Sequence, residues 1–202
     1  VVSSRIPRSF QLDARDDVQV LTPMRRGTLG ADNLNEELQQ LLNPSRGTPG
    51  QELTRGSRTY RVGDKVMQLR NNYDLEVYNG DIGRIEAIDE VERQLTLRVD
   101  DRQVTYDLAD LDELALAYAC TVHKSQGSEY PAVVLTLHTQ HYPMLQRNLL
   151  YTAITRGRRL VVLIGSRRAL SIALRNASVG RRHTHLAERL ARAAMATFVA
   201  PV

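Results

Sequence analysis

LALAYACTVHKSQGSEYPAVVLTL, residues 114 to 137, decides the fold of this chain. It opens on a strand-like run at 114–119, crosses a polar stretch at 121–127 that reads as a loop or helix start, and enters a buried apolar strand at 133–137. Downstream, 145–155 carries Leu149, Leu150, Ala153 and Ile154 on one helical face, and Leu160-Val161-Val162-Leu163-Ile164 is a second strand without a polar residue. Ser166 stands as an N-cap before a helix through Leu170 and Leu174. Continuous apolar strands that alternate with helices predict a parallel sheet covered on both faces.

The same alternation extends upstream. Val18-Gln19-Val20-Leu21 is a short strand closed by Thr22-Pro23, and Asp32 offers an N-cap to a helix with Leu34, Leu38, Leu41 and Leu42, ended by Asn43-Pro44. Residues 43–58 turn to Pro, Gly, Ser, Thr and Arg and read as a loop or linker. The period then changes to 2. Residues 66–70, 82–88, Leu95/Leu97/Val99 and Val104/Tyr106/Leu108 are strand candidates, separated by turns at Asn79-Gly80, 89–93 and Asp100-Asp101. Such a meander suits a small SH3-like or OB-like barrel. The predicted architecture is an α/β domain from 1–53 and 113–176, interrupted by an all-β barrel at 54–112 and followed by an extension, 177–202, with an amphipathic helix at 184–198.

Composition excludes several classes. The 202 residues are 42% hydrophobic and 25% charged, as in a globular protein, which rules out disorder and collagen. The longest apolar runs fall far short of the roughly 20 residues that cross a bilayer, and no leader pattern opens the chain, so a soluble, cytoplasmic protein without membrane contact is expected. A first residue of Val rather than Met predicts a processed product or a fragment. Cys120 stands alone and reads as a small core residue, with no disulfide and no thiolate cluster for zinc. The net charge of +4 permits a polyanionic partner. Of 27 Lys and Arg, only Lys65 and Lys124 are Lys, which reflects coding bias or a use for phosphate forks.

No Gly-rich loop ends in Gly-Lys-Ser/Thr, since Lys124-Ser125 follows His123 rather than glycines, so no phosphate cradle of that kind is present. Asp89-Glu90 and Asp112-Glu113 do not follow a long apolar strand and read as solvated turn residues. His138 and His141, and His183 and His185, lack metal-ligating neighbours at suitable spacing and read as loop or solvent-facing residues. No metal site is expected. Two segments carry concentrated chemistry. Residues 121–129 place hydroxyl, imidazole, ammonium and amide groups in one loop after a strand, either a phosphate grip at the sheet's carboxyl edge or an ordinary polar connection. Residues 151–159 end a helix with Arg156, Arg158 and Arg159, either cations at the negative helix end or an arginine finger.

TVHKSQGSEYP (121–131) and NLLYTAITRG (148–157) resemble motifs V and VI of superfamily 1 helicases. Leu21-Thr22-Pro23-Met24 with Gly27, the Asn33-Leu34-Asn35 helix, and GDKVMQLRNNYDLEVYNGDIG (63–83) are similar to the standalone RecD-like DNA helicases, a resemblance that covers about 18–176. It implies the second RecA-like motor domain (2A) of a P-loop NTPase, with an SH3-like 2B insertion. By that resemblance Arg156 is the finger that senses the γ-phosphate, and Gly127 and Glu129 lie near the nucleotide. Thr121, His123 and Lys124 touch the single strand, as do Asn71 and Asn72 in the insertion's signature segment, to which Asn79 also belongs. ATP and Mg²⁺ are implied, held mainly by an N-terminal RecA-like domain that this sequence does not contain, so the chain is expected to be inactive alone. The implied activity is 5′ to 3′ translocation on single-stranded DNA and unwinding at single/double-strand junctions by a monomeric motor. A non-enzymatic nucleic-acid-binding module, or a superfamily 1 motor acting on RNA or in conjugation, stands beside it.

Overall fold

The computed structural model describes residues 1–56 and 58–177. A short helix α1 (Arg5–Phe10) precedes strand β1 (Val18–Thr22) and helix α2 (Ala31–Leu42). β1 is buried throughout, as a run of apolar residues between two neighbouring strands requires. Its one amide, Gln19, donates through Nε2 to the carbonyls of Ala117 (3.0 Å) and Tyr118 (3.3 Å). α2 lays Leu34, Leu38 and Leu42 on the sheet. Its N-cap is Gly30, in extended conformation, rather than Asp32, which sits in the first turn and pairs with Arg25 at 3.2 Å.

Part of the expected linker is ordered as strands. β2 (Glu52–Arg55) and β3 (Arg58–Arg61) form an antiparallel hairpin. Its composition is polar, but Thr54 and Thr59 hydrogen-bond across it at 2.9 Å and Tyr60 is buried beneath it. β4 (Lys65–Gln68), β5 (Ile82–Asp89), β6 (Gln94–Val99), β7 (Arg102–Asp107) and β8 (Leu114–Leu116) form one antiparallel sheet in the order β7-β6-β5-β4-β8. The alternation in β6 and β7 places Leu95, Leu97, Val99, Val104 and Tyr106 in a core that the hairpin closes with Leu53 and Tyr60. Tyr60 donates its hydroxyl to the carbonyl of Leu114 at 2.9 Å. A 3-10 turn, Leu108–Glu113, precedes β8, and within it Glu113 accepts from Gln68 (3.0 Å) and Asn72 (3.3 Å), so it is a bridging acceptor rather than a solvated turn residue.

The run 114–119 is not one strand. β8 ends at Leu116 in the antiparallel sheet, Ala117 donates to the carbonyl of Lys65 at 2.8 Å, and the chain begins again as β9 (Ala119–Thr121) in the other sheet. After β10 (Tyr130–Leu137), a 3-10 segment at Thr139–Met144, α3 (Arg147–Ile154), β11 (Gly157–Gly165) and α4 (Arg167–Arg175) complete the described chain. β11-β10-β1-β9 is an all-parallel sheet, so the fold is mixed α/β. One face packs on α1 and α2, the other on α3 and on Met67 from β4. β11 is not buried on both faces as its apolar run predicts. Among the described residues it has β10 as its one neighbour, and Leu163 and Ile164 are 43% and 42% exposed. His141 also departs from expectation, being 1% exposed with Nδ1 accepting from His138 N at 3.3 Å. Burial lowers its pKa, and the neighbouring His138 adds to that. The helix expected at 184–198, with His183 and His185 and nearly all of the 177–202 extension, lies outside the described residues. Among the described residues no helix is long and apolar enough to cross a membrane.

Candidate functional site

The 121–129 loop is held by two inward anchors. Val122 is buried against Leu149 and Leu150, and Ser125, fully buried, donates through Oγ to Val122 O at 2.8 Å. With those two residues pinned, the side chains of His123, Lys124 and Gln126 face outward. Thr121 Oγ1 accepts from Lys124 N at 3.3 Å, and Gly127 turns the chain at φ +88°, a left-handed conformation that favours Gly.

The loop does not stay at the carboxyl edge of the sheet. Cys120 and Leu135 both flank Leu21. Tyr130 therefore begins β10 five residues below that level, about 17 Å at ~3.3 Å per residue. Thr121, His123 and Lys124 lie at the carboxyl end, whereas Ser128 and Glu129 reach the amino edge, where Arg156 precedes β11. There the two segments meet. Arg156 donates from NH1 to Ser128 O (3.0 Å), from Nε to Thr152 O (3.2 Å) and from NH2 to Thr155 Oγ1 (3.2 Å). Tyr130 N donates to Arg156 O at 2.8 Å, and Glu129 accepts from Arg158 at 2.8 Å. The guanidinium is thus folded against the carbonyl end of α3, which suits a cation. In sequence, 121–129 reads as one site, but the register divides it into two ends.

Of the asparagines, Asn79 alone reaches this loop, accepting from Lys124 Nζ at 2.9 Å. Asn71 and Asn72 build the β4–β5 connection. Asn71 Oδ1 accepts from Asn79 N (2.9 Å) and Asn72 Oδ1 from Leu75 N (3.1 Å). Beside Thr121 and Lys124 opens a cleft of about 670 Å³ between α2, the β3–β4 region and the β8–β9 crossover. Arg25, Arg58 and Arg61 line it, with Asp32 and Glu36 on the α2 side and Met67 and Leu116 among its apolar lining. Nothing local in the sequence sets Arg25 or Arg58 apart in so Arg-rich a chain.

Beneath the cleft is a buried carboxylate that sequence reading also missed. Asp64 accepts from Gln39 (2.6 Å), Asn43 (2.7 Å), Arg61 N (2.7 Å) and Tyr118 OH (2.9 Å). Burial pushes its pKa up, against the pull of those hydrogen bonds. Next to it Lys65 is buried, its ammonium 5.8 Å from the Tyr130 ring centroid, and burial lowers its pKa to about 8. Cys120 is buried as expected and its thiol is pushed up to about 12, so it is no nucleophile.

A parallel α/β sheet with its motif loops at the edges, carrying an antiparallel module between β1 and β9, defines a mixed α/β fold with an inserted β module. Over most of its length the chain is similar to the RecD-like helicases. The family described as the ATP-dependent RecD-like DNA helicase SH3 domain matches residues 34–100, and the UvrD-like helicase C-terminal domain matches 116–164. The chain is 44% identical over 173 residues to the ATP-dependent RecD2 DNA helicase of Deinococcus radiodurans, covering 86% of this chain and 23% of that protein. It is 32% identical to the RecBCD enzyme subunit RecD of Mycolicibacterium smegmatis, covering 87% and 29%. It thus spans roughly a quarter of the length of the curated relatives it matches. A Pif1 helicase from Bacteroides, solved in complex with ADP-AlF3 and single-stranded DNA, shares the fold at a TM-score of 0.57 and 17% identity, over 96% of this chain and 48% of that one.

Proposed function

We propose that the chain is the second motor portion of an ATP-dependent DNA helicase that translocates 5′ to 3′ on single-stranded DNA and unwinds duplex at junctions. In this reading 1–53 and 113–176 are the RecA-like domain 2A, 54–112 is an SH3-like barrel 2B, and 177–202 is an extension. The observation that carries it is the pairing of the two motif segments. Arg156 is bonded to the Ser128–Tyr130 end of the same loop whose other end presents Thr121, His123 and Lys124.

The residues present fit half a nucleotide site. Among the described residues Arg156 is a planar fork tied to neutral acceptors, which a phosphate outcompetes. Gly127 leaves open space above the turn, and Glu129 supplies a carboxylate for a ribose hydroxyl. The phosphate cradle and Mg²⁺ ligands belong to a first RecA-like domain, and ATP bound there supplies the phosphoryl group whose transfer drives the cycle. Arg156 would swing from Ser128 O across the interdomain gap and stabilise charge on that group. The swing removes a bond that holds the loop's amino-edge end, so nucleotide state reaches Thr121 and Lys124 through one short segment. Thr121 Oγ1, His123 and Lys124 Nζ would hold backbone phosphates, with Asn71 and Asn72 shaping the adjoining connection.

The test is Arg156→Ala in the complete protein. Turnover stimulated by single-stranded DNA should fall by roughly 10³-fold or more, while ATP binding is retained. Near-normal kcat would remove Arg156 from the role, and wild-type protein without DNA-stimulated ATP hydrolysis would sink the motor reading.

A further inference from the structure

The β4–β5 connection ends in two exposed aromatic rings that the motor reading leaves without a task. Tyr73 and Tyr78 are 73% and 48% exposed, and their rings meet edge to face, centroids 6.2 Å apart at 77°. We propose that this pair is a stacking platform for the bases of the single strand whose phosphates lie at the neighbouring Thr121–Lys124 turn. The inference rests on the nucleic-acid reading above and adds the base contact to it.

Three observations support it. First, the rings are presented by a rigid loop. Asn72 and Val77 exchange both backbone hydrogen bonds (2.8 and 3.0 Å), Tyr78 N donates to Asp81 at 2.8 Å, and Asn71 donates to the Tyr73 hydroxyl at 3.3 Å. Val77 is buried and Leu75 packs on the module's core, so the tip is pinned from below. Holding two rings in place before the ligand arrives lowers the entropy cost of stacking. Second, the loop is built beside the strand grip, because Lys124 Nζ donates to Asn79 Oδ1 at 2.9 Å. An ammonium has three donors, so this bond leaves capacity for a phosphate oxygen. Third, the loop's charge is wrong for a phosphate grip of its own. Between 69 and 81 it carries Arg70 against Asp74, Glu76 and Asp81. Arg70 faces Asp112 at 3.6 Å and Glu76 pairs with Arg102 at 3.0 Å. Exposed rings on a net acidic tip beside a cation suit a base face with the backbone lying toward Lys124, since stacking needs no charge.

The experiment measures binding of a labelled oligothymidylate, and of an abasic oligonucleotide of equal length, to the complete protein across a salt series. Stacking by alanine substitution is worth about 1–3 kcal/mol per base. Y73A/Y78A should therefore weaken oligothymidylate binding by roughly 5-fold to 150-fold for one stacked base. The variant should leave abasic binding and the slope of log affinity against log salt unchanged, and Y73F/Y78F should bind like wild type. Equal losses on both oligonucleotides, no loss on either, or a Phe variant as weak as the Ala variant would each overturn the platform. Both rings are exposed, so an unchanged unfolding midpoint confirms that the Ala variant folds. A wild-type protein that binds neither oligonucleotide overturns the nucleic-acid reading itself, which is a different result from tight wild-type binding that the variant does not alter.

Discussion

Lys65 sets a charge inside the boundary between the two sheets. Its Nζ is buried without a hydrogen-bond partner among the described residues, and its pKa falls to about 8 from an ordinary 10.5. The unfolded chain binds more protons than the folded one between those values, so stability climbs as pH rises through that window and is lost as pH falls through about 8. Lys65→Met should stabilise the protein at pH 7 by about 2–3 kcal/mol and flatten the climb, because a thioether fills the site without a buried charge. Urea midpoints at a series of pH values measure this, and an unchanged midpoint at pH 7 argues against it. Neither Lys65 nor Asp64 can be singled out in the sequence. A Gly-Asp-Lys triplet marks a turn, and only contacts from Gln39, Asn43 and Tyr118, far away in the chain, make Asp64 an internal hub. Arg156 stands out in the sequence by its place in the 148–157 segment, but its three neutral acceptors are visible only in the fold.

Elements were legible where the signal is local. The alternation of β6 and β7 and the apolar run of β10 place their side chains as the pattern predicts. Ser166 caps α4 as expected, its Oγ accepting from Ala169 N at 3.1 Å. Ser166→Ala should cost about 1 kcal/mol, read from the thermal unfolding midpoint. Gly165 is a stricter requirement. A Cβ there would collide with the carbonyl oxygen of Leu137, which is backbone and cannot rotate away. Gly165→Ala must part the ends of β10 and β11, at a cost of about 3 kcal/mol or more. A variant within about 1 kcal/mol of wild type in denaturant titrations would show that the ends separate freely. What failed in the sequence was non-local. Residues 114–119 are equally apolar throughout, and the break falls at 117–118 because Ala117 N reaches Lys65 and Tyr118 reaches Asp64. The hairpin β2–β3 was hidden by its polar composition, since its burial is supplied by a core that forms elsewhere.

For the whole molecule the decisive join is the one between the antiparallel module and the parallel sheet. Asp64 ties α2 and Tyr118 to the β3–β4 turn of the module, and Met67 reaches from β4 into the core under α3. Asp64→Ala would leave the buried Tyr118 hydroxyl without its acceptor and take one acceptor each from Gln39 and Asn43, which keep Thr59 O and Val62 O, and each lost partner costs about 1–3 kcal/mol. The expected result is a lower unfolding midpoint with faster hydrogen exchange at 61–67 and 116–120, and unchanged exchange there would show that the hub does not hold the join. The α/β character and the existence of an inserted module were legible from the change in period. The course of the 121–129 loop from one edge of the sheet to the other was not, because register is a property of three strands together.

The first and last strands of the antiparallel five-stranded sheet run side by side, β4 against β8, with Val66 opposite Leu116. A cassette that enters and leaves its host through adjacent strands can be lengthened, trimmed or exchanged beyond that pair without moving the host's frame. Variation among relatives should therefore gather in the distal turns at 89–93 and 100–101, while the paired ends and the carboxylate beneath them stay as they are.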